Sequence, residues 1–220
     1  MARNLPVRGE RHIDEVQIFP QRGFVYHIKG GGNSGKLMRP FAELWAALTL
    51  SQGEYVHWID GASRFNPARI MNNFPQHIPQ PEQLLHGLFV GRGFTVHQFA
   101  HLIERLSDEI KITKARLIVV DGPITMHLDS QVNDYEARSL LRKSMNILSQ
   151  IAIDYQIPVV VITAAKAFSS RHANLLALVA NRSQNSLVGR YRRHMGKNKL
   201  WLTHLPSGSS GFRHESSNQE

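Results

Sequence analysis

The sequence predicts an α/β fold, a single domain built on a mostly parallel, helix-flanked sheet. Three observations predict it. Short β-rich runs alternate with amphipathic helical stretches along the 220 residues. Two runs, 116–120 and 158–163, are apolar almost without interruption, as strands covered on both faces require. A glycine loop follows the first strand at once and opens onto a helical pattern, the order that places a ligand beyond the carboxyl ends of parallel strands.

The elements follow in order. Residues 1–22 are polar and hold Pro6, Gly9 and Pro20, so they read as an N-terminal arm. Residues 24–28 are the first strand, and Phe41, Leu44, Trp45 and Leu48 mark the buried face of the first helix. Residues 55–59 and 85–90 are the next strands. Val96, Phe99, Ile103, Leu106 and Ile110 form a second helical stripe. The apolar strand at 116–120 ends in Asp121, a long helix spans 135–155, and 158–163 is the next buried strand. A last strand is expected at 199–203, inside a core of residues 23–206, followed by a flexible tail at 207–220.

Composition narrows the function. Cysteine is absent, which excludes disulfides and thiolate metal sites. No apolar run reaches membrane-span length and none near Met1 resembles a secretory signal, so an intracellular protein without a membrane partner is expected. The formal charge is +9. No acidic residue lies between Asp154 and Glu215, whereas Lys166, Arg171, Arg182, Arg190, Arg192, Arg193, Lys197, Lys199 and Arg213 do. Such a footprint suits a polyanion, and residues 166–199 read as a basic loop region. Tyr191, set among Arg190, Arg192 and Arg193, suits base stacking beside phosphate contact. His97, His101 and Glu104 have ligand spacing on a helix, but Gln98 stands where a zinc hydrolase has glutamate, and no metal site is assigned.

Gly30, Gly31, Gly32, Asn33, Ser34, Gly35 and Lys36 match the phosphate-loop pattern G-x-x-x-x-G-K. The glycines allow backbone N–H groups to curl around phosphate oxygens, Lys36 adds a charge, and a helix from Lys36 would add its dipole. The next position should carry a hydroxyl for Mg²⁺, and here it is Leu37. Asp121, ending its strand, remains as the one carboxylate able to anchor the metal.

The order of these motifs resembles the RecA/RadA recombinase family, in particular its short paralogues that consist of the ATPase core. The run from Ile13 to Val16 with that from Phe19 to Gly23 is similar to the family's "LDELLGGGI-x-x-G". The run from Trp58 to Pro67 is similar to "YIDTEGTFRP", and 116–121 and 158–163 resemble "LLVVDS" and "AVVVTNQ". The resemblance covers residues 13–165 and implies ATP as the nucleotide, bound weakly or structurally, with Mg²⁺ not tightly held. It also implies that Ala62 replaces the glutamate that activates water and Ala165 the glutamine that senses the γ-phosphate. Asp60, two residues before Ala62, is the nearest carboxylate that could stand in as a base. Arg69 matches an arginine that stacks on adenine. The expected function is an accessory DNA-binding protein of recombination and repair with little or no ATP hydrolysis. It would contact single- or double-stranded DNA and a recombinase, another paralogue or a second copy of itself. A slow DNA-stimulated ATPase and a structural subunit that docks on an acidic protein are the alternatives.

Overall fold

Side-chain caps set where the longer helices begin. Thr95, Asn133 and Ser169 accept hydrogen bonds from the backbone N–H of Gln98, Glu136 and His172 at 3.2, 2.8 and 3.1 Å, satisfying donors that a helix leaves open in its first turn. Lys114 and Gln156 end two of these helices in the left-handed conformation. A computed structural model describes residues 12–13 and 18–213. In chain order the elements are β1 (His12–Ile13), β2 (Val25–Gly30), α1 (Arg39–Ser51), β3 (Val56–Asp60), α2 (Pro67–Met71), α3 (Pro81–Leu84), β4 (Leu88–Arg92), α4 (Val96–Thr113), β5 (Leu117–Asp121), α5 (Asp134–Tyr155), β6 (Val159–Ala164), α6 (Ser170–Asn181), β7 (Asn185–His194), β8 (Lys197–His204) and β9 (Ser209–Arg213).

The strands join in the order β1-β9-β8-β7-β2-β6-β5-β3-β4. The run from β7 to β4 is parallel throughout, while β8 is antiparallel to both β7 and β9. This is the α/β, RecA-like architecture that the alternation of strands and helices implies. Two apolar layers cover the sheet. On one face Trp45, Phe41 and Ala46 of α1 pack on Trp58, Ile28, Leu187 and Leu202. On the other, α4, α5 and α6 bring Phe99, Ile103, Leu141, Leu148 and Leu175 onto Val120, Val159 and Val161. No helix among the described residues is long and apolar enough to cross a membrane.

Three expectations are corrected. Residues 166–199 are not one loop: they form α6 and most of a β-hairpin, β7–β8, turning at Met195 and Gly196, both with positive φ. The tail expected from 207 holds β9, paired with β8, and the arm expected at 1–22 supplies β1, paired with β9. The backbone groups of these outer strands are met by one another, so the sheet continues past β7. The motif passage at 14–17, the rest of the arm at 1–11 and the end at 214–220 lie outside the described residues.

Among the described residues four histidines are buried, His27, His57, His127 and His172, and two of them are shifted furthest. His27 on β2 meets Thr163 Oγ1 at 2.7 Å, and burial beside Lys29 lowers its pKa from 6.5 to about 3. His127 Nδ1 lies 2.8 Å from the Pro123 carbonyl oxygen, and burial lowers its pKa to about 4. Below about pH 6.5 the unfolded chain takes up protons at both rings and the folded chain does not, so stability falls as pH falls. The slope between about pH 6.5 and 5 is expected to reach roughly 2.7 kcal/mol per pH unit for the two rings together. Urea unfolding across that range should show a slope at least that steep, since burial also lowers His57, His172 and His204, and His127→Gln should reduce it by roughly 1.4 kcal/mol per pH unit. A stability independent of pH there would contradict the buried, neutral state of both rings.

Candidate nucleotide site and basic surface

Parallel register brings Gly30, Asp121 and Asp60 to one edge. Gly30 pairs with Ala164, Ile162 with Asp121, and Asp121 with Asp60. Because Trp58 and Val119 point to the α1 layer, the two-residue period of a strand sends Asp60 and Asp121 to that same side. Two carboxylates thus stand on neighbouring strands, both with no measurable exposure.

Each is neutralised by an arginine of this chain. Arg39, the first residue of α1, is itself 1% exposed. Its Nε donates to one Asp121 oxygen and its Nη2 to the other, the second at 3.0 Å. This bidentate geometry suits a guanidinium and a carboxylate. Burial pushes the Asp121 carboxyl up from its ordinary value and Arg39 pulls it back. Asp60 accepts from the backbone N–H of Arg64 and Phe65 at 3.1 and 3.0 Å and from Arg92 Nε at 2.9 Å.

These pairings correct two expectations. Asp121 is not an open anchor for metal, because both its oxygens are held by Arg39. Asp60 is not an available base, because its oxygens are already held by three donors. With Leu37 offering no oxygen, the residues present do not fit Mg²⁺.

The glycine loop departs from expectation as well. Residues Asn33–Met38 form a 3₁₀ turn with a kink at Ser34 and Gly35, and α1 starts at Arg39, followed by Pro40, rather than at Lys36. Proline lacks an N–H and suits a first helical turn, which places the start here. Gly35 has a φ of +76°, and a Cβ there would lie 2.2 Å from the Thr163 carbonyl oxygen, so only glycine fits. The N–H of Gly35 donates to Gly32 O at 3.2 Å and that of Leu37 to Gly31 O at 3.0 Å. Two amides are therefore spent on the loop's own carbonyls. Gly31, Gly32, Asn33 and Lys36 are exposed, and Ser34 Oγ pairs with Thr125 Oγ1 at 2.9 Å. Ala62, standing where the family has glutamate, packs so close to Gly122 that a Cβ on the glycine would come within 2.6 Å of its own. Arg69 sits on α2 with Nη1 3.7 Å from Glu43 Oε1, tying α2 to α1.

The basic residues fall into separate groups. β7 pairs Arg190 with Trp201, Arg192 with Lys199 and His194 with Lys197 on β8, which puts these six side chains on one face. The Arg192 guanidinium lies 4.3 Å from the Trp201 ring centroid, and Trp201 meets Phe212 of β9 edge-on at 4.9 Å. Leu187, of the opposite parity, belongs to the α1 layer, so Tyr191 and Arg193 point to that other side. Tyr191 is therefore not interleaved with Arg190 and Arg192 in space. Arg171 is 3.3 Å from Asp134, and Arg182 donates to Asn146 at 2.9 Å, so both are committed within the fold. Lys166 is exposed just beyond β6. No ion pair of Arg190, Arg192, Lys197 or Lys199 occurs among the described residues.

Sequence reasoning missed Arg39 and Arg92. The signal for Arg39 was present: an arginine one turn past Lys36, beside a proline, on a helix whose inner face meets the strand that ends in Asp121. Arg92 carried none beyond its place at the end of β4, where it is the register partner of Asp60.

A parallel sheet with a glycine loop after β2 and acidic residues ending β3 and β5 defines a RecA-type core. The family model described as Rad51 matches residues 43–204, nearly three quarters of the chain. The chain belongs to the Rad51 family of RecA-like recombination and repair proteins. That match begins inside α1, after the glycine loop. No curated protein matches the chain.

The Arg39–Asp121 pair predicts a specific stability pattern. Arg39→Met leaves a buried carboxylate without its counter-charge and is expected to cost about 3–5 kcal/mol. Adding Asp121→Leu should restore most of that loss, since an apolar replacement of both partners is often close to neutral. Urea denaturation of the single and double variants checks this. An Arg39→Met protein as stable as the parent would show that the pair contributes nothing.

Proposed function

We propose that this protein is an accessory member of the Rad51 family that binds DNA and does not turn over ATP. The observation that carries the reading is the Arg39 guanidinium on both oxygens of Asp121. A cofactor metal at that carboxylate would have to displace a buried arginine and leave it unpaired, at a cost of several kcal/mol. Leu37, Ala62 and Ala165 support the same conclusion, since metal ligand, water activator and phosphate sensor are all missing. Loss of a general base alone lowers a rate by roughly 10²–10⁴-fold. Nucleotide held by the exposed Lys36 and the glycine loop would be structural.

DNA contact is supported by the face that carries Arg190, Arg192, Lys197 and Lys199. Four cations gathered without acidic partners repel one another, and a phosphate backbone relieves that repulsion while releasing its counterions. Trp201, half-buried beneath Arg192, adds an aromatic surface. Partner proteins of this reading are a recombinase or another paralogue.

Two measurements test it. Phosphate release with Mg²⁺ and DNA should stay at background, and sustained release that vanishes in Lys36→Ala would overturn the non-hydrolytic reading. The log–log salt dependence of DNA binding should have a slope of about −3 to −4 and flatten by roughly 2 units in Arg190→Ala/Arg192→Ala/Lys199→Ala. Tyr191→Ala, on the opposite face, should leave the slope unchanged. Unaltered affinity and slope in the triple variant would remove the DNA assignment and favour docking on an acidic protein.

A further inference from the structure

The β7–β8 hairpin closes on a residue that its turn does not favour. Met195 and Gly196 both have positive φ, 48° and 79°, as in the two-residue turn that ordinarily holds asparagine before glycine. A side chain as bulky as methionine is strained in that conformation. Met195 is also 86% exposed, so burial does not offset the strain. An exposed apolar group kept in a strained turn points to a contact outside the fold.

Behind this tip the two strands form a ribbon. β2 pairs with β7 only as far as Val188, and β9 reaches β8 only between Trp201 and His204. Among the described residues, 191–200 therefore pair only with one another across the hairpin. The ribbon holds no acidic residue, and its two faces differ. One carries Arg190, Arg192, Lys197 and Lys199 beside Trp201. The other carries Arg193 opposite Asn198 and Tyr191 opposite Leu200, with Tyr191 63% exposed. His194 turns back to the Phe212 ring at 4.8 Å, which leaves Met195 as the apolar group at the tip.

We infer that the hairpin is a wedge for forked DNA, with Met195 set against the last base pair of the stem and one separated strand passing along each face. The inference rests on the reading that this hairpin binds DNA. Four cations on one face supply phosphate contacts along one strand. The opposite face sets a ring beside a cation, which suits unpaired bases that stack. Between the faces, an apolar thioether can enter a base step, as methionine wedges do where proteins unstack DNA. Unstacking costs least where pairing already ends. A closed duplex presents no open step to the tip, and a lone strand presents no base pair to it. A fork meets the tip and both faces at once.

The test measures binding by fluorescence anisotropy, without ATP, to a fork, a blunt duplex and a single strand matched in number of phosphates. A 2-aminopurine in the last pair of a second fork reports unstacking. The fork should bind roughly tenfold more tightly than either other DNA, and 2-aminopurine fluorescence should rise on binding. Met195→Asn suits the turn and keeps the hairpin. It should leave duplex and single-strand binding unchanged while the fork preference and the fluorescence rise disappear. Met195→Leu should retain both signals. Tyr191→Ala should weaken the fork and the single strand and spare the duplex. Arg190→Ala/Arg192→Ala/Lys199→Ala should weaken all three DNAs. A parent that does not favour the fork, or leaves the fluorescence unchanged, overturns the wedge while the DNA reading stands. So do signals that survive Met195→Asn, or that are lost in Met195→Leu, since an apolar tip is then not what the fork meets. A parent that binds none of the three DNAs overturns the DNA reading and the wedge together.

Discussion

The ion pair between Arg39 and Asp121 is the constraint around which this core is arranged. Asp60 and Asp121 are register partners on adjacent strands, and neighbouring strands lie only about 4.8 Å apart. Two buried carboxylates that close cannot both stay ionised without positive charge nearby. In an ATPase of this architecture a bound cation would supply part of that charge. Here Arg39 and Arg92 supply it from within the chain. Charge balance at the sheet edge is therefore complete in the absence of any ligand.

The start of α1 follows from the same requirement. For the Arg39 guanidinium to reach β5, its backbone must lie over the edge of the sheet, and Pro40 starts the helix at that residue. The preceding six residues are left in a 3₁₀ turn, which draws two amides of the glycine loop inward. Loss of the metal ligand at Leu37, internal pairing of the carboxylates and closing of the loop are thus one linked rearrangement.

Much of the fold was legible because its central strands and helices announce themselves by period. Runs of four or five apolar residues marked β5 and β6, and the stripe from Val96 to Ile110 marked α4. The outer strands were not legible, for a physical reason. β7 and β8 expose both faces over most of their length beyond the sheet edge, so residues 190–199 are charged at half their positions and show no apolar alternation. Their turn uses Met195 with Gly196, not the Asn-Gly or Asp-Gly pair that signals a hairpin. β9 is hidden in a serine- and glycine-rich stretch whose strand identity comes from pairing with β8. At the site, the sequence disclosed that Leu37, Ala62 and Ala165 depart from the motif, because a motif defines the residues it expects. It did not disclose Arg39 as a replacement, because pairing across 82 positions depends on tertiary placement.

Hairpin geometry also changes what the positive charge can do. A cluster read along the chain as RYRRH becomes two surfaces once it is a strand, since alternate residues face opposite sides. Arg190 and Arg192 join Lys197, Lys199 and Trp201 on one of them, and Tyr191 and Arg193 lie on the other. A phosphate chain running along the first face meets cations from both strands at the close spacing of a β-ladder, which suits a single strand or one edge of a groove. Because β7 continues the direction of β2, that face leads away from the sheet edge at which the phosphate loop lies. The charged hairpin and the phosphate-loop edge are thereby joined by continuous sheet through β7 and β2.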